Sequence, residues 1–167
     1  PAVPHPTGRG FVGAKVCGEC HTKAYASWKT TKHSHALESL DKGRKGEETT
    51  WISRSSDPEC IACHVAGWNP HDIVRYEGGF LGMAETPHLA GQQCENCHGP
   101  GDKHTEIERV FRKSPKVTPD LLAERKAMHL DQATVEIKVC TKCHDGDNSP
   151  GWNFLKYWPQ VRHVGRD

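Results

Sequence analysis

Residues 94–98 read Cys94-Glu95-Asn96-Cys97-His98, and the run continues as Gly99-Pro100-Gly101-Asp102-Lys103-His104. The first five residues form a C-x-x-C-H motif. The same pattern stands at Cys17-Gly18-Glu19-Cys20-His21, Cys60-Ile61-Ala62-Cys63-His64 and Cys140-Thr141-Lys142-Cys143-His144. Together the copies use all 8 cysteines and leave 8 of the 12 histidines uncommitted. Two thiols one helical turn apart add across the two vinyl groups of a haem, and the adjacent histidine then reaches the iron from the proximal side. Disulfide frameworks, paired zinc sites and thioredoxin-like dithiols have no need of a histidine after every second cysteine. The motifs predict four haem c groups tethered by Cys17, Cys20, Cys60, Cys63, Cys94, Cys97, Cys140 and Cys143. His21, His64, His98 and His144 are then the proximal iron ligands.

Composition agrees with that reading. Leu, Ile, Val and Phe supply about 17 % of the 167 residues, below the roughly 20 % at which globular domains begin. Disorder is the usual consequence, but it comes with high net charge and few aromatics, whereas this chain carries a net charge of +1 and five Trp. Four large apolar macrocycles would supply the interior that the aliphatic side chains do not. The fold class expected is therefore mainly α with much irregular loop and little β, wrapped on a closely packed haem stack. The balanced charge argues against a nucleic-acid binder. Each ferric haem with its propionates adds a net negative charge, which takes the bare chain from +1 to about −3.

No stretch reaches the length of a membrane span. Haem c is attached outside the cytoplasmic membrane in bacteria and archaea, and the sequence starts at Pro1 without Met. The expectation is export, with the signal removed, to the periplasm or the cell exterior. The motifs are unevenly spaced and no Ser/Gly-rich linker separates them, so residues 1–167 read as a single domain. Residues 1–12, with Pro1, Pro4, Pro6, Gly8 and Gly10, read as an extended arm, frayed or laid on a neighbour. One helix is predicted from Thr22 to Leu40, ending before Gly43 and placing His33 and Leu37 on one stripe. Asp102 reads as the cap of a helix that lines up His104, Ile107 and Phe111. Thr118-Pro119-Asp120 opens another helix, and residues 72–83 read as a short hairpin or loop. The C-terminal aromatics, Trp152, Phe154, Tyr157 and Trp158, read as haem packing.

The uncommitted histidines are His5, His33, His35, His71, His88, His104, His129 and His163, against only two methionines. His/His ligation on most or all irons is the economical assignment, and it gives lower potentials than His/Met.

The segment from Cys17 to Leu40, with Tyr25, Trp28 and Thr31-Lys32-His33-Ser34-His35-Ala36 after the motif, resembles the opening of the cytochrome c-554 family of tetrahaem cytochromes. The Gly99-Pro100-Gly101 turn followed by His104 is similar to that family's third haem segment. Cys140 to His163, with Asp147-Asn148-Ser149-Pro150 and Tyr157-Trp158-Pro159, resembles the end of related multihaem domains. The resemblance implies crossed ligation, with His33 on the third haem, His104 on the first and His163 on the fourth. In that family the second haem lacks a protein sixth ligand. His5, His71, His88 and His129 could supply one here, with His129, His88 and His5 the main candidates and His5 able to act in trans, as in extracellular tetrahaem cytochromes that polymerise into filaments.

The expected function is electron transfer through four mostly or entirely bis-His haems, as a soluble carrier or as a subunit of an extracellular wire. The partners are then redox proteins, extracellular acceptors or further copies of the chain. The alternative is a redox enzyme or small-ligand binder acting at an open second haem. No nucleophile constellation supports another enzymatic class, because every cysteine is committed.

Overall fold

A computed structural model describes residues 1–42, 46 and 48–163. Breaks at glycine, proline and hydroxyl residues keep the helices short, and the longest among the described residues, α6 (Asp102–Lys113), has 12 residues. Three haem motifs lie on helical turns: α1 (Ala14–Gly18), α4 (Pro58–His64) and α5 (Cys94–His98). The fourth follows α8 (Val135–Lys138) as a 3-10 turn at Cys140–Lys142. Two of the starts have a side-chain cap and a proline. Asp57 accepts the Glu59 amide at 3.1 Å ahead of Pro58, and Thr118 accepts the Leu121 amide at 3.2 Å ahead of Pro119, the first residue of α7 (Pro119–Ala127).

The architecture is mainly α with long irregular connections. The two strands among the described residues, β1 (Trp68–Asn69) and β2 (Val74–Arg75), form a small antiparallel hairpin that starts ahead of the 72–83 stretch expected as hairpin or loop and overlaps it only at 72–75. The backbones of Gly67 and Gly79 cross beside it, and a Cβ on Gly67 would lie 2.3 Å from the Gly79 Cα, so the crossing requires glycine. The main side-chain core is a cluster of Leu37, Leu40, Ile61, Val65, Ala66, Phe80 and Leu89. It is pinned at its rim by indole hydrogen bonds from Trp51 to the Leu40 carbonyl (2.8 Å) and from Trp68 to the Phe80 carbonyl (2.9 Å).

Four expectations change. The helix from Thr22 to Leu40 is broken into α2 (Thr22–Lys29), a 3-10 turn at Lys32–His35 and α3 (Glu38–Lys42). The Thr30 and Thr31 hydroxyls donate back to the Ser27 and Trp28 carbonyls at 2.8 and 2.7 Å, and Thr31 turns extended. Such side-chain bonds compete with continuation of the helix. Gly43, the expected stop, lies outside the described residues. Asp102 is the first residue of α6 rather than its cap. Its carboxylate accepts the Gly10 amide at 2.7 Å. The N-terminal arm lies along its own chain, where the Val3 amide donates to the Arg75 carbonyl (3.0 Å) and the Glu77 amide to the Val3 carbonyl (2.8 Å). The C-terminal aromatics form a helix, α9 (Phe154–Val161), which the sequence reading left without structure.

Candidate haem-binding centre

The four motifs converge in pairs. The Cys17 and Cys94 thiols lie close enough to act on one another, as do those of Cys63 and Cys143. The attachment points of the first and third motifs are therefore adjacent, and so are those of the second and fourth. Contact with the partner thiol, reinforced by burial, holds Cys17 and Cys143 well above the ordinary thiol range. Burial pushes Cys97 up to about 12.

The imidazoles also meet in pairs. Ring centroids lie 6.3 Å apart for His21 and His104, 6.0 Å for His33 and His144, and 5.8 Å for His98 and His163. An imidazole nitrogen binds a metal at about 2.0 Å, and the ring centroid lies about 1.1 Å behind that nitrogen, so two imidazoles on opposite sides of one metal have centroids about 6 Å apart. The spacing fits three irons, each between two histidines. Hydrogen bonding fits as well: Nδ1 of His98 bonds the Met128 carbonyl at 2.7 Å, and Nδ1 of His144 bonds the Ser149 hydroxyl at 3.0 Å. An imidazole occupied at Nδ1 is oriented to present Nε2 to a metal. Burial lowers the pKa of His33, His98, His104 and His144, which favours the neutral ring that a metal requires.

Only one of the three expected pairings appears. His104 faces His21, but His33 faces His144 of the fourth motif and His163 faces His98 of the third, the reverse of the expected assignment. Gln92, just before the third motif, stands between His33 and the fourth motif. The His33 carbonyl accepts the Gln92 amide at 2.9 Å, and the Gln92 side chain reaches the Cys143 sulfur at 3.9 Å, which carries His33 to the fourth motif. α9 then brings His163 to His98.

His64 bonds the Ala36 carbonyl through Nδ1 at 2.6 Å, and among the described residues no imidazole stands opposite it as His104 stands opposite His21. His5 is held between Phe11 and Tyr76, 4.6 Å from the tyrosine ring, with Nδ1 on the Thr7 hydroxyl at 2.7 Å. His88 and His129 are exposed, as is His71. His35 points outward to Glu38. Two features escaped the sequence reading. Trp152 stacks on the His144 imidazole at 4.9 Å with planes 6° apart, and Glu95, inside the third motif, is 2 % exposed.

Four C-x-x-C-H turns with adjoining thiols and facing imidazoles define a multihaem c-type cytochrome, a class that transfers electrons. The family model described as "Cytochrome c554 and c-prime" matches residues 16–99, and the chain belongs to that family, whose tetrahaem character is consistent with four haem c. The chain is 32 % identical to cytochrome c-554 of Nitrosomonas europaea over 158 positions, covering 87 % of this chain and 62 % of that protein. It is 28 % identical to the multihaem cytochrome MtrA of Shewanella baltica over 132 positions, covering 78 % of this chain and 35 % of the relative. It thus spans less than two thirds of either. The solved structure of reduced cytochrome c554 from Nitrosomonas europaea superposes with a TM-score of 0.62 at 30 % identity, covering 87 % of this chain and 70 % of that one.

Proposed function

We propose that the chain is an exported single-domain electron carrier holding four haem c groups, three of them between paired histidines. When bound, the haems supply one-electron chemistry between ferric and ferrous iron at the low potentials typical of bis-imidazole ligation. The chain's own residues do the rest. Four cysteine pairs fix the groups covalently, and the Cys17–Cys94 and Cys63–Cys143 contacts bring their attachment points together. His21 with His104, His33 with His144, and His98 with His163 orient three irons. The observation that carries the reading is this set of three pairs at 5.8–6.3 Å, each drawn from segments far apart in sequence. The periplasm or the cell exterior is the compartment, since haem c is attached there, and redox proteins or external acceptors are the partners. Among the described residues no helix is long and apolar enough to cross a membrane.

The test is a set of holoprotein variants, His33→Ala, His104→Ala and His163→Ala, followed by electron paramagnetic resonance. Each is expected to convert one low-spin species, a different one each time. A variant that leaves every low-spin species in place removes that histidine from the ligand set.

A second reading is favoured by the surroundings of His64. With no imidazole opposite it, the second haem offers a sixth position to a small ligand. Exposure of the ferric and ferrous holoprotein to cyanide and carbon monoxide tests it, with binding expected at one iron in four. The wire-subunit reading would need a histidine to reach another chain; His5 is packed against Phe11 and Tyr76, which leaves the exposed His71, His88 and His129 for that role.

A further inference from the structure

The Glu95 carboxylate is the most deeply buried acidic group among the described residues, and its partners are the starts of the first haem segment and of the helix that carries His104. It accepts the Gly13 amide at 2.8 Å, the Val12 amide at 3.0 and 3.1 Å, and the Gly101 amide at 2.8 Å. Gly13 is the residue before α1, and Gly101 is the residue before α6. α1 carries Cys17, and the chain then runs through Cys20 to His21, whose amide bonds the Cys17 carbonyl at 2.9 Å. α6 carries His104 in its first turn. One carboxylate therefore sets the starting points of both segments that bring His21 and His104 to 6.3 Å.

Neighbouring bonds reinforce the clamp. The Ala14 amide donates to Gln93 at 2.6 Å, and Gly10 and Asp102 exchange two hydrogen bonds. None of these replaces Glu95: Gln93 reaches the start of α1, and Asp102 joins α6 to the arm at Gly10, whereas the Glu95 carboxylate accepts from the residue before each helix. Its two oxygens receive amides and no cation pairs with it among the described residues; burial raises its carboxyl pKa, the three amides oppose that shift by stabilising the carboxylate, and the charge they hold lies next to Cys94 in the chain.

We infer that Glu95 is a positioning residue for the first iron: from within the third motif it fixes the approach of both His21 and His104 and adds a negative charge that favours the oxidised state there. The inference rests on the coordination proposed above. The histidine pair makes the coordination, and Glu95 sets its geometry and its field.

The experiment is an electron-paramagnetic-resonance-monitored redox titration of the holoprotein and of three variants, Glu95→Gln, Glu95→Asp and His104→Ala. His104→Ala identifies the signal of the first iron by abolishing it as a low-spin species. In Glu95→Gln the same signal is expected to change its g-values and to titrate at a more positive potential, while at least two of the other signals hold. Glu95→Asp keeps the charge but is one methylene short of the three amides. It is expected to return the potential part of the way and to leave the g-values altered. If Glu95→Gln yields no holoprotein, Glu95→Asp alone carries the test through the first-iron signal. All signals moving equally, or the first-iron signal staying at its wild-type g-values and potential, overturns the inference. If His104→Ala leaves every low-spin species in place, it is the coordination reading that fails.

Discussion

Leu89 is 0 % exposed at the centre of the side-chain core, where it joins Leu37, Val65 and Phe80. These residues stand next to two haem motifs and one ligand turn: Leu37 follows the turn carrying His33, Val65 follows His64, and Leu89 leads into the third motif. Leu89→Ala removes three carbons, about 2.4 kcal/mol of lost transfer free energy at about 0.8 kcal/mol per methylene. The cavity left behind raises the cost to about 3–4 kcal/mol, inside the usual range for a buried leucine. The Ala66 amide to Leu89 carbonyl bond at 2.9 Å is a backbone contact and survives, so the loss reports packing alone. For a protein of this length that cost corresponds to a fall in Tm of roughly 6–16 °C. Equilibrium guanidinium denaturation of the ferric holoprotein, followed by far-ultraviolet circular dichroism, measures it. A loss below about 1 kcal/mol would show that the haems alone set stability and that this cluster does not act as a core.

Further outcomes follow from other contacts. Gly13 has φ +84 and ψ 152, and a Cβ there would lie 2.8 Å from the His88 carbonyl, so Gly13→Ala should cost on the order of 1–3 kcal/mol in backbone strain plus the clash and should lower the yield of holoprotein. Hydrogen bonding from Arg125 lowers the carboxyl pKa of Glu108 in the folded protein. The stability the pair contributes is present above about pH 4.3, the unfolded value, and is lost as pH falls through the folded one. Glu108→Gln should therefore weaken the protein at pH 7 and lose its effect in acid, as read by denaturation at the two pH values. Trp152→Ala should broaden or shift the one low-spin signal that His33→Ala abolishes, because both residues act on His144. A change at a different signal would separate Trp152 from the fourth motif.

Much of this was legible in the primary structure because covalent chemistry leaves a strict signature. Cysteines two residues apart with an adjoining histidine announce the haem, and a low aliphatic content announces what fills the interior. His33 stood out over His35 by its stripe with Leu37, and the structure turns His33 inward to His144 and His35 outward to Glu38. The pairing of His33 and His163 was not legible, since it is decided by the Gln92 backbone bond and by the path of α9, contacts made across about sixty residues or more. The broken helix after Lys29 depends on two threonine hydroxyls that win over the backbone, a local competition that periodicity does not register. Glu95 occupies an x position of the C-x-x-C-H pattern, which sets no residue type. Its partners at Val12, Gly13 and Gly101 are backbone amides, which carry no sequence signal.

Quantitative electron paramagnetic resonance of the fully ferric holoprotein tests the coordination most directly. Three histidine pairs and a His64 without an opposing imidazole should give about three quarters of the iron as low-spin bis-imidazole species and about one quarter as a separate species, high-spin or bound by an exogenous ligand. Four bis-imidazole signals, or fewer than three, would contradict it.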